Sequence, residues 1–301
     1  MEMTRGEMIH NLEGHTDFLY CLAISPDGKT LVSASKDKTI KVWNLQSGRE
    51  IRTLSGHTNS VFHIAFSLDG QTLVSGSEDK TIKVWNLQSG KETRMIAGHT
   101  NWVTSLAISP EGQTLVSGSF DKTIKLWNLQ TGAEIRTISD HSSPVSSLAI
   151  SPDGQTLVSG SKDKTIKVWN LQSAKPICTL SSHAKEVESV AISPDGQTLA
   201  SGSLDETIKI WNLRSAQEIR TQRCGYLGAV HCVTFSPDGQ TLASGHKNGT
   251  VRFWNQQTGE ELFILRGHSL KGVNSIVFSP DGKILASCAF WDKTIKVWGL
   301  Q

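Results

Sequence analysis

Apolar positions along this chain come in runs of five or six residues, and each run is ended by a turn signal. Around residue 120 the order is easy to follow. Leu106-Ala107-Ile108-Ser109 closes one run, and Pro110-Glu111-Gly112 follows it. Proline presets φ and glycine tolerates φ > 0, so this tripeptide predicts a tight turn. Thr114–Ser119 forms a second run, Asp121-Lys122 a second turn, and Thr123–Asn128 a third run. A Thr131-Gly132 turn then leads to a fourth, Glu134–Ile138. Short runs rich in β-branched residues and separated by regular turns predict four strands per unit. No segment keeps a 3.6-residue period, so helices are not expected.

The unit repeats along the chain. Trp43, Trp85, Trp127, Trp169, Trp211, Trp254 and Trp298 follow one another at intervals of 42, 42, 42, 42, 43 and 44 residues. Asp79-Lys80-Thr81-Ile82-Lys83-Val84-Trp85-Asn86 returns almost unchanged as Asp163-Lys164-Thr165-Ile166-Lys167-Val168-Trp169-Asn170. Ser-Pro-Asp-Gly-Gln-Thr-Leu, as at 151–157, precedes it, and Gly-His lies further upstream at Gly14-His15, Gly56-His57, Gly98-His99 and Gly267-His268. A period of this length marks a propeller or solenoid. The last unit ends three residues after Trp298 and lacks a fourth strand, while residues 7–12 align with the fourth strand at 49–54. The N-terminal segment is therefore expected to complete the last unit and remove an open sheet edge.

On these motifs the sequence resembles the WD-repeat family over residues 7–301. The resemblance implies an all-β, seven-bladed β-propeller of four-stranded antiparallel blades, with the last blade closed by the N-terminal strand. It also implies a single domain over residues 1–301. The family dipeptide reads Trp-Asn here and Trp298-Gly299 in the last copy, but the Asp six residues before each Trp is present in all but one unit. The uniformity of the repeats resembles that of bacterial, particularly cyanobacterial, members. The near-identity of units 2–5 suggests recent duplication.

Composition narrows the function. A 37% hydrophobic content supports a core. Thirty Lys and Arg against 28 Asp and Glu leave +2, which gives no general pull toward nucleic acid or membrane. No apolar run of transmembrane length occurs, and the first residues do not read as a signal peptide. Cys21, Cys178, Cys224, Cys232 and Cys288 are odd in number and irregularly spaced, which favours a reducing, cytoplasmic compartment over a disulfide framework. Third-strand Lys41, Lys83, Lys125, Lys167, Lys209 and Lys296, with Arg252, are expected on a solvated outer surface.

Ser, His and Asp at fixed offsets invite a hydrolase reading. An active site is needed once, whereas this set recurs as His15/Ser33/Asp37/Trp43, His57/Ser75/Asp79/Trp85, His99/Ser117/Asp121/Trp127, His141/Ser159/Asp163/Trp169 and His183/Ser201/Asp205/Trp211, with an insertion-bearing version at His268/Ser287/Asp292/Trp298. The repetition makes it framework, and the resemblance implies a hydrogen-bonded tetrad in each blade. Unit 6 departs from it, with Tyr226 in place of His and Asn248 in place of Asp. Two readings follow for that blade, a tolerated loss or a locally loosened blade.

Aromatics that the repeat does not require cluster in two slots. Phe18, Tyr20, Phe62 and Trp102 follow the repeat His, and Phe120, Phe290 and Trp291 precede the tight-turn Asp. Both slots fall at one end of the blade, the top face in the family, and the residues belong to units 7, 1, 2 and 3. Exposed aromatics in an arc are the composition of a protein-binding hot spot. The alternative is that they fold down and plug the channel. The opposite arc, Pro144, Lys162, Glu186, Glu188, Leu204, Ala229, His231 and Lys247, reads as a solvated polar rim.

No phosphate-binding glycine loop and no Cys-x-x-Cys pair occurs. Cys224, His231, Cys232 and His246 gather in unit 6 without a zinc spacing, so neither metal nor cofactor is expected. The sequence thus points to a non-enzymatic, monomeric scaffold for a protein or peptide partner, with no nucleic acid or membrane target. The alternatives are a small-ligand or enzymatic site at the channel mouth, built on Glu186, Glu188 and His231, and a self-associating structural module.

Overall fold

The computed structural model describes residues 5–225, 228–269 and 272–301. Their strands form seven four-stranded antiparallel sheets. In blade 1, β2 (Leu19–Ile24), β3 (Thr30–Ser35), β4 (Thr39–Asn44) and β5 (Glu50–Ser55) pair in chain order. Blade 7 differs in its outer strand. Its β26 (Val273–Phe278), β27 (Ile284–Ala289) and β28 (Ile295–Leu300) are completed by β1 (Gly6–Leu12). Gly6 faces Leu300 and Leu12 faces Ile295, with a bulge between Met8 and His10. The expected propeller and its closure by the N-terminal strand are both observed.

The core lies between blades. Leu31 and Trp43 pack with Ala286, Ile295 and Val297 of blade 7. The next residue of the same strand, Val32, packs with Val61, Ile64 and Trp85 of blade 2. Side chains alternate across a strand, so each middle strand serves two interfaces. Both faces are then buried, which is why Leu31 to Ser35 are buried without a break.

The inner strands are joined around the axis by a ring of side-chain bonds. Ser275, Ser105, Ser147 and Ser189 accept the backbone N–H of Leu22, Leu148, Val190 and Val233 in the next blade, at 3.0–3.2 Å. His63 Nδ1 accepts Leu106 N–H at 3.3 Å. The two remaining blades use thiols: Cys21 Sγ lies 3.9 Å from Ile64 O and Cys232 Sγ 3.6 Å from Val273 O. Each inner strand carries a bulge near its start that turns these side chains toward the axis.

The third-strand cations are not solvated as expected. Lys83, Lys209 and Lys296 are buried. Lys41, Lys83, Lys125 and Lys209 pair with Glu50, Glu92, Glu134 and Glu218 on the fourth strand at 2.6–3.0 Å. Lys167 pairs with Asp140, and Arg252 with Glu261. Lys296 donates to Asn11 Oδ1 at 3.0 Å. The reason is register: each of these side chains shares a strand face with the framework Trp two residues on, and Lys125 Nζ sits 5.8 Å from the Trp127 ring.

Candidate interaction site at the channel mouth

The His, Ser, Asp and Trp of six blades meet in three bonds each. His Nδ1 lies 2.7–2.8 Å from the Asp carboxylate, His Nε2 2.7–2.8 Å from the Ser hydroxyl, and the indole N–H donates to the same hydroxyl at 2.8–3.0 Å. The proton order follows. Indole N–H donates to Ser, and imidazole Nδ1–H donates to the Asp carboxylate, which can only accept. Burial acts to raise the carboxyls of Asp37, Asp79, Asp121 and Asp205, but hydrogen bonds from His and from the Thr two residues on outweigh it. These carboxyls are held far below the usual carboxylate range.

The serines of these tetrads lie inside the blades. Ser33, Ser75, Ser117, Ser159, Ser201 and Ser287 are all 0% exposed, so neither solvent nor a partner reaches any of them. They belong to the blade interior and to no binding or catalytic surface. The cause is their place in the middle of the second strand, where both faces of the sheet are covered by neighbouring blades. Each hydroxyl is also taken up between an imidazole and an indole, and this satisfies a polar group that burial would otherwise strand. A nucleophilic serine must meet a substrate, so the burial of all six disposes of the hydrolase reading of this set.

Blade 6 solves the same problem with another residue. Trp254 donates to Ser244 at 2.8 Å, and Ser244 lies 2.8 Å from His246 Nε2. His246 comes from the same strand, two residues on, at the position of Ser35, Ser77, Ser119, Ser161 and Ser203 in other blades. The imidazole therefore reaches the Ser from inside. Its Nδ1 is buried and approached by the Gly228 backbone, without a hydrogen bond of good geometry among the described residues. Burial, with Arg252 and His231 nearby, pushes the imidazole down to about 3. Asn248 keeps the turn by accepting from Thr250 N–H at 3.2 Å and its hydroxyl at 2.7 Å. Tyr226 lies outside the described residues. The signal for His246 was present in the sequence as the one His in a column that is Ser in blades 1–5 and Ala289 in blade 7.

The off-framework aromatics form a continuous ladder. Trp291 meets Phe18 (4.5 Å between centroids), Phe18 meets Phe290 (4.6 Å), Phe290 meets Tyr20 (5.4 Å), and Tyr20 meets Phe62 (4.8 Å). Phe62 then meets Trp102 (5.5 Å), and Trp102 meets Phe120 (4.8 Å). Lysines lie over two of the rings: Lys36 Nζ is 4.7 Å from the Phe18 centroid and Lys162 Nζ 4.9 Å from that of Phe120. The rings are less exposed than an arc of free side chains. Trp291 is 50% exposed, and the other six are half-buried against one another. Nor do they fill the channel, because all but Phe18 line a cavity of about 1120 Å³ on the axis.

The opposite wall of this cavity is polar. It includes Glu188, His231, Lys162 and Lys247. The expectation of a solvated rim fails here, since Glu188 and His231 lie on the inner strands and face inward. Burial pushes the Glu188 carboxyl up, with Lys162 opposing and Glu186 adding. Burial also pushes His231 down, helped by Lys247. Tyr20 is pushed up to about 12 by burial and by the charges of Glu78 and Asp17. His231 faces the cavity, whereas the Cys232 side chain packs in the core between blades 6 and 7, with its Sγ 3.6 Å from Val273 O. All five cysteines are free. Among the described residues no three His, Cys, Asp or Glu side chains converge on a metal-sized site.

Comparison with known proteins places this architecture. Residues 6–44, 48–86 and 90–128 match the WD domain, G-beta repeat, and residues 120–301 match the profile described as IFT122 first beta-propeller. Similar proteins include nuclear distribution protein PAC1 of Candida dubliniensis, 48% identical over 40 residues (13% of this chain and 8% of that protein). WD repeat and SOCS box-containing protein 1 of Danio rerio is 50% identical over 42 residues (14% and 10%). Protein groucho of Drosophila melanogaster is 40% identical over 43 residues (14% and 6%). Each match is about one repeat long and spans a tenth or less of the relative. Together the two profiles match residues 6–44, 48–86 and 90–301, and the protein belongs to the WD40-repeat β-propeller family.

Proposed function

We propose that this chain is a non-enzymatic interaction scaffold, one propeller domain over residues 1–301, which holds a protein or peptide on its top face. The observation that supports this most is the seven-ring ladder along blades 7, 1, 2 and 3 at the mouth of an open cavity. Clustered aromatics beside a concave, water-accessible opening are what a partner side chain can bury against. Phe18, Tyr20, Phe62, Trp102, Phe120, Phe290 and Trp291 form the contact surface, and neighbouring charged residues set orientation. The protein acts as a monomer in the cytoplasm, with neither nucleic acid nor membrane as its target. Free cysteines fit a reducing compartment. Among the described residues no helix is long and apolar enough to cross a membrane.

The test is a pull-down from source-cell lysate with wild type and with Trp102→Ala/Trp291→Ala, checked for native folding by thermal melting. A protein held by wild type and lost by the folded double variant supports the assignment. Equal capture by both moves the interface elsewhere.

A second reading has its own observation. Glu188, with its raised carboxyl, and His231, with its lowered imidazole, share the cavity wall, as acid–base or ligand-binding groups do. Under this reading Glu186, Glu188 and His231 serve a small ligand. A metabolite and hydrolase screen showing neither a melting shift nor turnover would count against it.

A further inference from the structure

Every inner strand carries its bulge at the second residue, which is left without a partner in its own sheet. A bulge re-aims the side chain it carries, and all seven of these residues line the axial cavity. Five of them are engaged within the protein. Tyr20 and Phe62 meet in the ring ladder. The hydroxyls of Thr104 and Ser146 donate to Val145 O and Val187 O of the next blade, and Asn274 Nδ2 donates to Leu19 O at 3.2 Å. Glu188 in blade 5 and His231 in blade 6 differ. Neither makes a hydrogen bond or an ion pair among the described residues. Both groups have lost hydration to the cavity wall and gained no partner in exchange.

Their chemistry says what would meet them. Burial holds His231 toward its neutral form, so one ring nitrogen accepts a hydrogen bond. Burial also favours the neutral form of Glu188, and a cation beside it restores the accepting carboxylate. The pair therefore suits a cationic group with several N–H donors, and an ammonium has three. The mouth carries the opposite sign. Lys162 and Lys247 line the cavity just before the tight turns of blades 4 and 6, on either side of blade 5, and neither has an ion-pair partner among the described residues. The other charged residues of the lining stand on the ladder side, where Lys36 pairs with Asp17 at 3.7 Å and Glu78 lies near Tyr20. A simple amine would be opposed by the two lysines, and a simple carboxylate by Glu188. A small zwitterion matches both signs, and the facing aromatic wall suits an apolar body.

We infer that the cavity binds a free α-amino acid with an aromatic or bulky aliphatic side chain. Its ammonium donates to Glu188 and His231, its carboxylate turns to Lys162 and Lys247, and its side chain packs against the ring ladder. The inference rests on the reading of the cavity wall as a small-ligand site and is independent of a partner on the top face.

The experiment is isothermal titration of L-phenylalanine, L-tryptophan and L-leucine, each also as its N-acetyl and its amide derivative. Acetylation removes the ammonium, and amidation removes the carboxylate. The proteins are wild type, Glu188→Gln and Lys162→Met/Lys247→Met, each checked for folding by thermal melting. Wild type should bind at least one free amino acid, and each of its derivatives about tenfold more weakly, the loss expected for one charged contact. Glu188→Gln should no longer distinguish the free amino acid from its N-acetyl form, and the lysine variant should no longer distinguish it from its amide. The comparison of derivatives on wild type stands even where a variant fails to fold. An amide bound as well as the free amino acid would make the ligand a simple amine, and an N-acetyl form bound as well would make it a simple acid. Either result overturns the zwitterion and leaves the cavity a ligand site. Binding of none of the nine compounds also overturns the inference. The metabolite screen then decides the underlying reading: a compound that shifts the melting of wild type but not of Glu188→Gln keeps it, and the absence of any such compound removes it.

Discussion

A single serine hydroxyl in each tetrad serves two partners, and its removal strands both. Ser75→Ala leaves the Trp85 indole N–H and His57 Nε2 without partners in a blade where both are buried. Each orphaned group costs about 1–3 kcal/mol, so urea unfolding should report a loss of about 2–4 kcal/mol. His246 makes a different prediction. Its imidazole titrates near 6.5 when unfolded and about 3 when folded. Between these values the unfolded chain binds the extra proton, so stability from this group is full above about 6.5 and is lost as pH falls toward 3. The slope is about 1.4 kcal/mol per pH unit. His246→Ser, which restores the residue of blades 1–5, should flatten urea midpoints between pH 6 and 4 relative to wild type. An unchanged slope would mean another group dominates that limb. The depressed tetrad carboxylates act lower, since their stabilisation is present above about 3.8 and lost below it.

At the scale of the element, β1 is the most consequential strand, because it alone completes a sheet begun at the other end of the chain. Leu12 is buried against blades 7 and 1, and its removal also bares the edge of β28. Deleting residues 1–12 should cost several kcal/mol, lower the melting temperature by about 10 °C or more, and raise light scattering. A synthetic peptide of residues 5–13 added in trans should recover part of the melting shift. No recovery would mean that the strand acts only as part of the continuous chain. Strand order and this closure were legible in the sequence because they depend on local turn chemistry and on one alignment, 7–12 against 49–54. What sequence could not show depends on bulges and on neighbouring blades. The bulge between Val230 and Cys232 shifts the register of the inner strand against its neighbour, and the fourth-strand Glu that captures Lys83 becomes its neighbour only through strand pairing. The ladder was legible as membership of adjacent units, but its ring-to-ring packing was not, because that depends on the curvature of the closed ring.

For the whole molecule, stability resides in like interfaces between neighbours, so no blade is privileged as the start of the ring. Arg5 and Gln301 exchange backbone hydrogen bonds at 3.5 and 3.0 Å, which brings the two ends side by side. A circular permutant that joins residues 5 and 301 through a short Gly-Ser linker and opens at the exposed turn between Glu111 and Gly112 should fold, with a melting temperature within about 10 °C of wild type. Failure to fold would show that the position of the break matters to assembly.

The pairing of β1 with β28 also sets how the ring answers force. The strands are antiparallel, and Gly6 lies opposite Leu300, so both ends leave from the same end of the pair. A pull between them loads the Gly6–Leu300 pair first and then each following pair in turn down to Leu12–Ile295. The clasp peels like a zip instead of shearing as a unit. A tether fixed to both ends would part this one strand pair at low tension while the remaining six sheets stay folded.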